Sequence, residues 1–316
     1  MSQTLSGILA MVTSCVVWGL SPLYYKLLEH VPPAELLSHR TLWSVIFFAV
    51  LLAVQGRLAE LRDALRGRKQ VALIAIASLM VAANWFCFIL SIQIGKTTEA
   101  SLGYYIFPLM AVLIARVWFA ETLVFGQWLA VALATLAVVI LTWGLGVAPW
   151  IALIISTTFA LYGAIKKGLA LGPVVSVTAE ILLVLPLWLM VMGWFHIQGQ
   201  GSFGTDLGTS LLLMLSGPLT AVPLILFSYA ARRVALSTLG VLQYINPTLQ
   251  FLCAVVAFGE PFSQWHAIVF PLIWLALAIF SISALRQDKA SRRAAMAASG
   301  VSTQVTNSSS ETSAKP

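Results

Sequence analysis

Long apolar blocks alternate with short polar breaks along this chain. Within the blocks there is neither the two-residue alternation of a half-buried strand nor the single polar face of a surface helix. Val71 to Ile94, apolar on every face, is representative. A helix needs about 20 such residues to cross about 30 Å of hydrocarbon. Cutting at charges, Pro/Gly pairs and polar runs predicts ten spanning helices, at roughly 5–27, 35–55, 70–94, 100–119, 126–145, 147–166, 174–196, 209–231, 235–258 and 264–285. Gly144, Gly146 and Pro149 separate the fifth from the sixth, since a block from Trp128 to Ile165 is too long for one crossing.

Composition sharpens this into an all-α integral membrane protein. Of 316 residues, 60% are apolar and 9% charged, with a mean hydropathy of +0.94, which excludes a soluble enzyme. An outer-membrane barrel is excluded because its strands would alternate in polarity over about ten residues. The net charge of +7 does not point to nucleic acid, because its carriers sit at the ends of apolar blocks rather than on one face. They act as topology signals. Fifteen Lys and Arg fall in one set of alternate loops and the tail, among them Arg57, Arg62, Arg66, Arg68, Lys69, Arg116, Lys166, Lys167, Arg232 and Arg233. The other set holds three, Lys26, Arg40 and Lys96. Cytoplasmic loops retain positive charge, so both termini are expected to face the cytoplasm. Residues 286–316, rich in Ser, Thr and Ala, are expected to form a disordered cytoplasmic tail, where the sequon at Asn307 has no meaning. The first block has no basic residue before it and no small-residue cleavage site, and reads as a retained helix. Cys15, Cys87 and Cys253 lie apart inside apolar segments and read as packed free thiols, with no cofactor or metal implied.

The chain repeats itself. A shift of 139 residues lays Tyr105-Ile106-Phe107-Pro108 on Tyr244-Ile245-Asn246-Pro247 and Glu121 on Glu260, with eight identities in the 17 positions from 105 to 121. The same register, within one residue, sets Lys26 against Lys166, Pro33 against Pro173 and Arg40 against Glu180. The expected repeats are 5–145 and 147–285, five helices each. Five is odd, so the second copy enters the membrane from the opposite side, and two inverted halves place a binding site near mid-membrane between them.

Candidate site residues follow from polar, aromatic and proline positions inside spans. Pro108 and Pro247 each free a backbone carbonyl, and around them stand Tyr104, Tyr105, Gln243, Tyr244, Asn246 and Gln250. Asn84 and Trp85 lie near the middle of the third span, and Trp18, Tyr24, Tyr25, Tyr162 and Tyr229 add aromatic surface. The competing reading makes the aromatics core or interfacial-belt residues and the amides helix-to-helix ties. Among charges, Glu180 is a candidate protonation site with Lys166 or Lys167 as its partner. Lys26, Glu35, His39, Arg40 and Glu99 group on the other side, with Glu35 or Glu99 expected to pair with Arg40. The competing reading here is snorkelling or capping. Motifs for membrane enzymes, phosphate loops and metal sites are absent from the sequence.

The strings Val17-Trp18-Gly19-Leu20-Ser21-Pro22, Glu35-Leu36-Leu37-Ser38-His39-Arg40, Glu99 to Pro108 and Leu236 to Pro247 together resemble the RarD subgroup of the EamA-type branch of the drug/metabolite transporter superfamily. The resemblance runs in order from 5 to 285. It implies a bacterial inner-membrane permease or exporter of small metabolites or drugs, with ten helices in two EamA repeats. The second half departs from symmetry, since Glu180 stands where the first half has Arg40. The expectation is a secondary transporter for a small amphipathic, aromatic or amino-acid-like solute. Its partners are the substrate and the bilayer, and monomer and homodimer stay equally open. A non-transporting membrane scaffold or sensor is the alternative.

Overall fold

The computed structural model describes residues 3–311 apart from 119, 121, 147, 232, 235–238, 240 and 241, with side chains left undescribed at 167 and from 288 onward. The helices are α1 (Gln3–Leu27), α2 (Pro33–Val54), α3 (Leu58–Ala64), α4 (Arg68–Gln93), α5 (Thr97–Trp118) and α6 (Phe125–Leu145). They continue as α7 (Trp150–Lys167), α8 (Pro173–Ile197), α9 (Leu207–Ala231), α10 (Ile245–Leu252) and α11 (Gln264–Glu311). No strand occurs among the described residues. Among the described residues, eight helices are long and apolar enough to cross a membrane, counting Gln264–Gln287 of α11, and two shorter apolar helices, Trp150–Lys166 and Ile245–Ala257, accompany them.

The boundaries have local causes. Prolines open α2 and α8, where the missing N–H removes nothing, and Gly146, at φ +68°, ends α6 in the left-handed conformation that glycine tolerates. Asp206 accepts the Thr209 N–H at 2.8 Å and caps α9. α3 was not predicted: it is a seven-residue helix within the basic stretch between α2 and α4. Pro108 lies inside α5, as expected, but Pro247 falls in the first turn of α10, where it starts a helix instead of kinking one. α10 runs on into a π-helical turn, Cys253–Ala257. Much of the first half of the predicted ninth span lies outside the described residues. α11 continues past the predicted end of the tenth span to Glu311. The expected disorder of 286–316 falls almost wholly where side chains or backbone lie outside the described residues.

Contacts sort the helix termini onto two ends of the bundle. Tyr229 reaches Ser6, Gln127 reaches Gln287, and Leu52, Ala64 and Val175 share one cluster; this basic end carries Arg57, Arg62, Arg66 and Arg233. At the opposite end Gln93 Nε2 donates to the carbonyl of Val31 (2.8 Å), and Thr209 Oγ1 lies 3.0 Å from His30 Nε2. The main packing pairs are α5 with α7, α6 with α11, α2 with α8 and α9, α4 with α7 and α8, and α1 with α9 and α10. Glycines allow the closest of these approaches. A methyl group at Gly103 would stand 2.9 Å from the Ala152 carbonyl oxygen, and one at Gly217 would stand 2.6 Å from the Trp43 carbonyl.

Candidate functional site

A cavity of about 750 Å³ lies inside the bundle, walled by α1, α2, α4, α5, α7, α8, α9, α10 and α11 and by the segment leading into α10. At the basic end its wall includes Ala115, Lys166 and Pro173, close to the termini of α5, α7 and α8, and Leu285, near the end of the apolar part of α11. The other end is shut. Leu28, Val31, Leu36, Leu37, Ile89, Ile92, Ala100 and Ile151 form one fully buried cluster across α2, α4, α5, α7 and the loop between α1 and α2.

Two carboxylates tie that closed end across the helices. Glu260 accepts the N–H of Thr97 (2.6 Å) and both the N–H and the hydroxyl of Thr98 (2.8 Å each), and so caps α5 from the loop before α11. Glu35 accepts the N–H (2.6 Å) and the hydroxyl (2.9 Å) of Ser202, in the loop between α8 and α9. Beside it Phe203 stacks on His39 at 5.0 Å between ring centroids. His39 Nε2 stands 3.9 Å from Glu35 Oε1, the neighbour expected at i, i+4, yet neither ring nitrogen has a hydrogen-bond partner. Lys26 pairs with Glu29 and Lys96 with Glu99 (3.0 Å), each within its own turn.

Of the residues expected to bind solute, Trp18, Trp85, Tyr104, Gln243, Tyr244 and Asn246 line the cavity, as do Pro108 and Pro247. Asn84 and Tyr105 do not. Asn84 is fully buried between helices: it donates to the Ile155 carbonyl (2.9 Å) and accepts the Tyr104 hydroxyl (2.9 Å), joining α4, α5 and α7. Tyr105 turns to α11, where its ring packs on Phe270 and Trp274, and its hydroxyl lies 2.7 Å from Thr248 Oγ1. Phe88, Phe107, Phe159 and Phe227 also line the cavity and were not singled out, because an apolar aromatic in a span has the same sequence signature whether it faces core or cavity.

Charge is distributed unevenly along the wall. At the basic end Glu180, buried on α8, accepts from Lys166 Nζ (2.8 Å), the Tyr162 hydroxyl (2.9 Å) and Ser176 Oγ (2.8 Å). Deeper in, Arg40 pairs with neither Glu35 nor Glu99, contrary to expectation. Glu35 and His39 share a face of α2, and one residue further round, about 100°, Arg40 points into the bundle while Glu35 turns to the loop. Arg40 Nε donates to Thr220 Oγ1 (2.9 Å), and its guanidinium lies 4.1 Å from the centroid of the Trp85 ring and 5.7 Å from that of Tyr25. No group of three or more metal-ligating side chains occurs among the described residues.

An apolar bundle around an aromatic-walled, charged cavity is the architecture of a multi-pass membrane carrier, and the sequence relatives agree. The model of the EamA-like transporter family matches residues 5–143. Protein RarD of Salmonella typhimurium is 37% identical over 284 residues, covering 90% of this chain and 97% of that protein. The uncharacterized transporter PA0485 of Pseudomonas aeruginosa is 39% identical over 280 residues, covering 87% and 93%. A solved crystal structure shares the fold at a TM-score of 0.58 and 21% identity, over 89% of this chain and 97% of that one. The chain belongs to the EamA-like transporter family, within its RarD group.

Proposed function

We propose that this protein is a secondary transporter of the bacterial inner membrane that moves a small amphipathic solute by alternating access. In this reading ten helices cross the membrane as two inverted halves, 5–145 and 147–285, with both termini cytoplasmic. The observation that carries it is the cavity between the halves, walled from both, with Lys166 and Pro173 in its wall at the basic end and a fully buried cluster across the opposite one. By the positive-inside rule that end faces the cytoplasm, so the conformation is inward-facing.

The packing supports an exchange of roles between the halves. Under the sequence repeat α1, α2, α4, α5 and α6 correspond to α7, α8, α9, α10 and α11. The pair α1–α9 then answers α7–α4, and α1–α10 answers α7–α5. Likewise α2–α9 answers α8–α4, while α2–α8 and α6–α11 answer themselves. Within the answering pairs, α5–α7 is more extensive than α10–α1, and α2–α9 more extensive than α8–α4. The tight members close one end, and tightening their counterparts instead would close the other.

The test is solute flux in proteoliposomes of the purified protein. The panel contains aromatic amino acids, aromatic carboxylates and chloramphenicol, the last because a Pseudomonas aeruginosa relative, 28% identical, is named a chloramphenicol-sensitive RarD. Saturable flux is the expected result. No flux across the panel, with the cavity closed to water-soluble thiol reagents, returns the scaffold reading. Proton coupling through Glu180 is part of the proposal: Glu180→Gln is expected to abolish gradient-driven transport and spare exchange, and unchanged driven transport removes Glu180 from the mechanism.

A further inference from the structure

Among the described residues, the charged side chains that line the cavity are two cations, Arg40 and Lys166, and no carboxylate lines it. They differ in one respect. Lys166 is neutralised by Glu180 directly behind it, at 2.8 Å. Arg40, 6% exposed, forms no ion pair with any described carboxylate. Its Nε is held by Thr220, whose own hydroxyl proton goes to the Ser216 carbonyl (2.9 Å), so the Thr220 lone pair is turned to the arginine. The two terminal nitrogens bond no described acceptor and stand at the cavity wall. A guanidinium stays charged at any working pH, and a charge in a membrane interior is stable only with a partner or with water. Fixed by Thr220 on one edge and by the Trp85 face below, Arg40 offers its remaining edge as a two-pronged donor of the shape that a carboxylate fits.

The geometry assigns the deep end of the cavity to the anionic group of the solute, and so assigns the solute to the monoanionic organic acids with a flat apolar body. The carboxylate meets Arg40, and the body lies among Trp85, Tyr25, Phe88 and Tyr104. One guanidinium answers one negative charge, so a phosphate dianion would carry a second charge into an aromatic pocket without a second free cation among the described residues. A zwitterionic amino acid fits worse for the opposite reason. Its ammonium finds no carboxylate among the described residues of the cavity wall, and Glu180 already accepts from three donors.

This assignment rests on the transport reading, and the experiment separates the two. Binding to purified full-length protein in detergent and flux in proteoliposomes are measured for 3-phenylpropionate, 3-phenylpropionamide and phenylalanine, which share one aromatic body. Wild-type protein is expected to bind the acid at least tenfold more tightly than the amide or the amino acid. Arg40→Gln is expected to erase that preference, and Arg40→Lys to keep part of it. Thr220→Val, which keeps the charge but frees the guanidinium, reduces the preference without abolishing it, and serves if Arg40→Gln does not fold. Equal binding of acid and amide by the wild type, or an acid preference that survives Arg40→Gln, overturns the assignment while flux of either solute leaves transport standing. An acid preference without flux keeps the anion site and overturns transport. Binding of none of the three overturns the anion site, and the flux of the neutral panel members then decides transport independently.

Discussion

Lys166 and Glu180 cancel each other's charge at 2.8 Å beside the open mouth of the cavity, on neighbouring helices α7 and α8. Glu180 is buried and Lys166 about a quarter exposed, so the pair is only partly desolvated. Glu180→Gln leaves a cation unpaired among Tyr162, Phe159 and Pro173. The expected loss is about 2 kcal/mol of stability, below the roughly 3 to 5 kcal/mol of a fully buried pair. Glu180→Gln with Lys166→Met is expected to recover most of it. Thermal unfolding of the three variants in detergent checks both statements.

Thiol labelling distinguishes two positions, one in each copy of the Tyr-x-x-Pro motif, that the sequence could not. After replacement of Cys15, Cys87 and Cys253, a cysteine at Asn246 is expected to react with a water-soluble reagent applied from the basic end, and one at Tyr105 to stay unreactive. Protection of Asn246→Cys by saturating solute would add that the solute occupies the same space.

The glycine at the α5–α7 contact offers a way to bias the conformation. Gly103→Val pushes into the Ala152 carbonyl and the Ile155 side chain, where overpacking costs about 1 to 3 kcal/mol. That penalty falls on the closed state of the end opposite the basic one. A cysteine at Leu36, fully buried there, is expected to become reactive from that side in the Gly103→Val background and to remain silent without it.

Asn84 is expected to matter for stability and not for solute affinity. Asn84→Ala strands the Tyr104 hydroxyl and frees the Ile155 carbonyl, a loss of about 1 to 2 kcal/mol. The variant should melt earlier while its apparent affinity for transported solute stays within twofold of wild type. A tenfold rise in apparent KM would place Asn84 back among the binding residues.

Much of this fold is written in the sequence because a lipid solvent makes each crossing a long apolar run. Pro33 and Pro173 marked helix starts, and Gly146 marked a stop. The Lys166–Glu180 pair was legible because the two residues flank one short turn between adjacent helices. Arg40 and Tyr105 were not. In each case a neighbour one residue away faces the expected environment, and the rotation of a helix about its axis leaves no trace when all its faces are apolar. The ties made by Glu260 to Thr97 and by Glu35 to Ser202 span more than 160 residues of chain, and nothing local to either carboxylate announces its partner.

Those two ties also bear on how the membrane potential survives a working cycle. Two opposite charges attract over many ångströms and resist separation gradually, whereas a hydrogen bond from a backbone amide fades within about an ångström of its optimum. At the closed end the lysines satisfy their own turns, and the carboxylates that tie a helix to a distant loop hold amides and hydroxyls. In the proposed alternating-access cycle that end is consequently either seated or released, with little to stabilise a half-parted arrangement. A carrier that passes quickly through such arrangements gives protons and small ions almost no time in a continuous water path, and the cell keeps its voltage while the solute crosses.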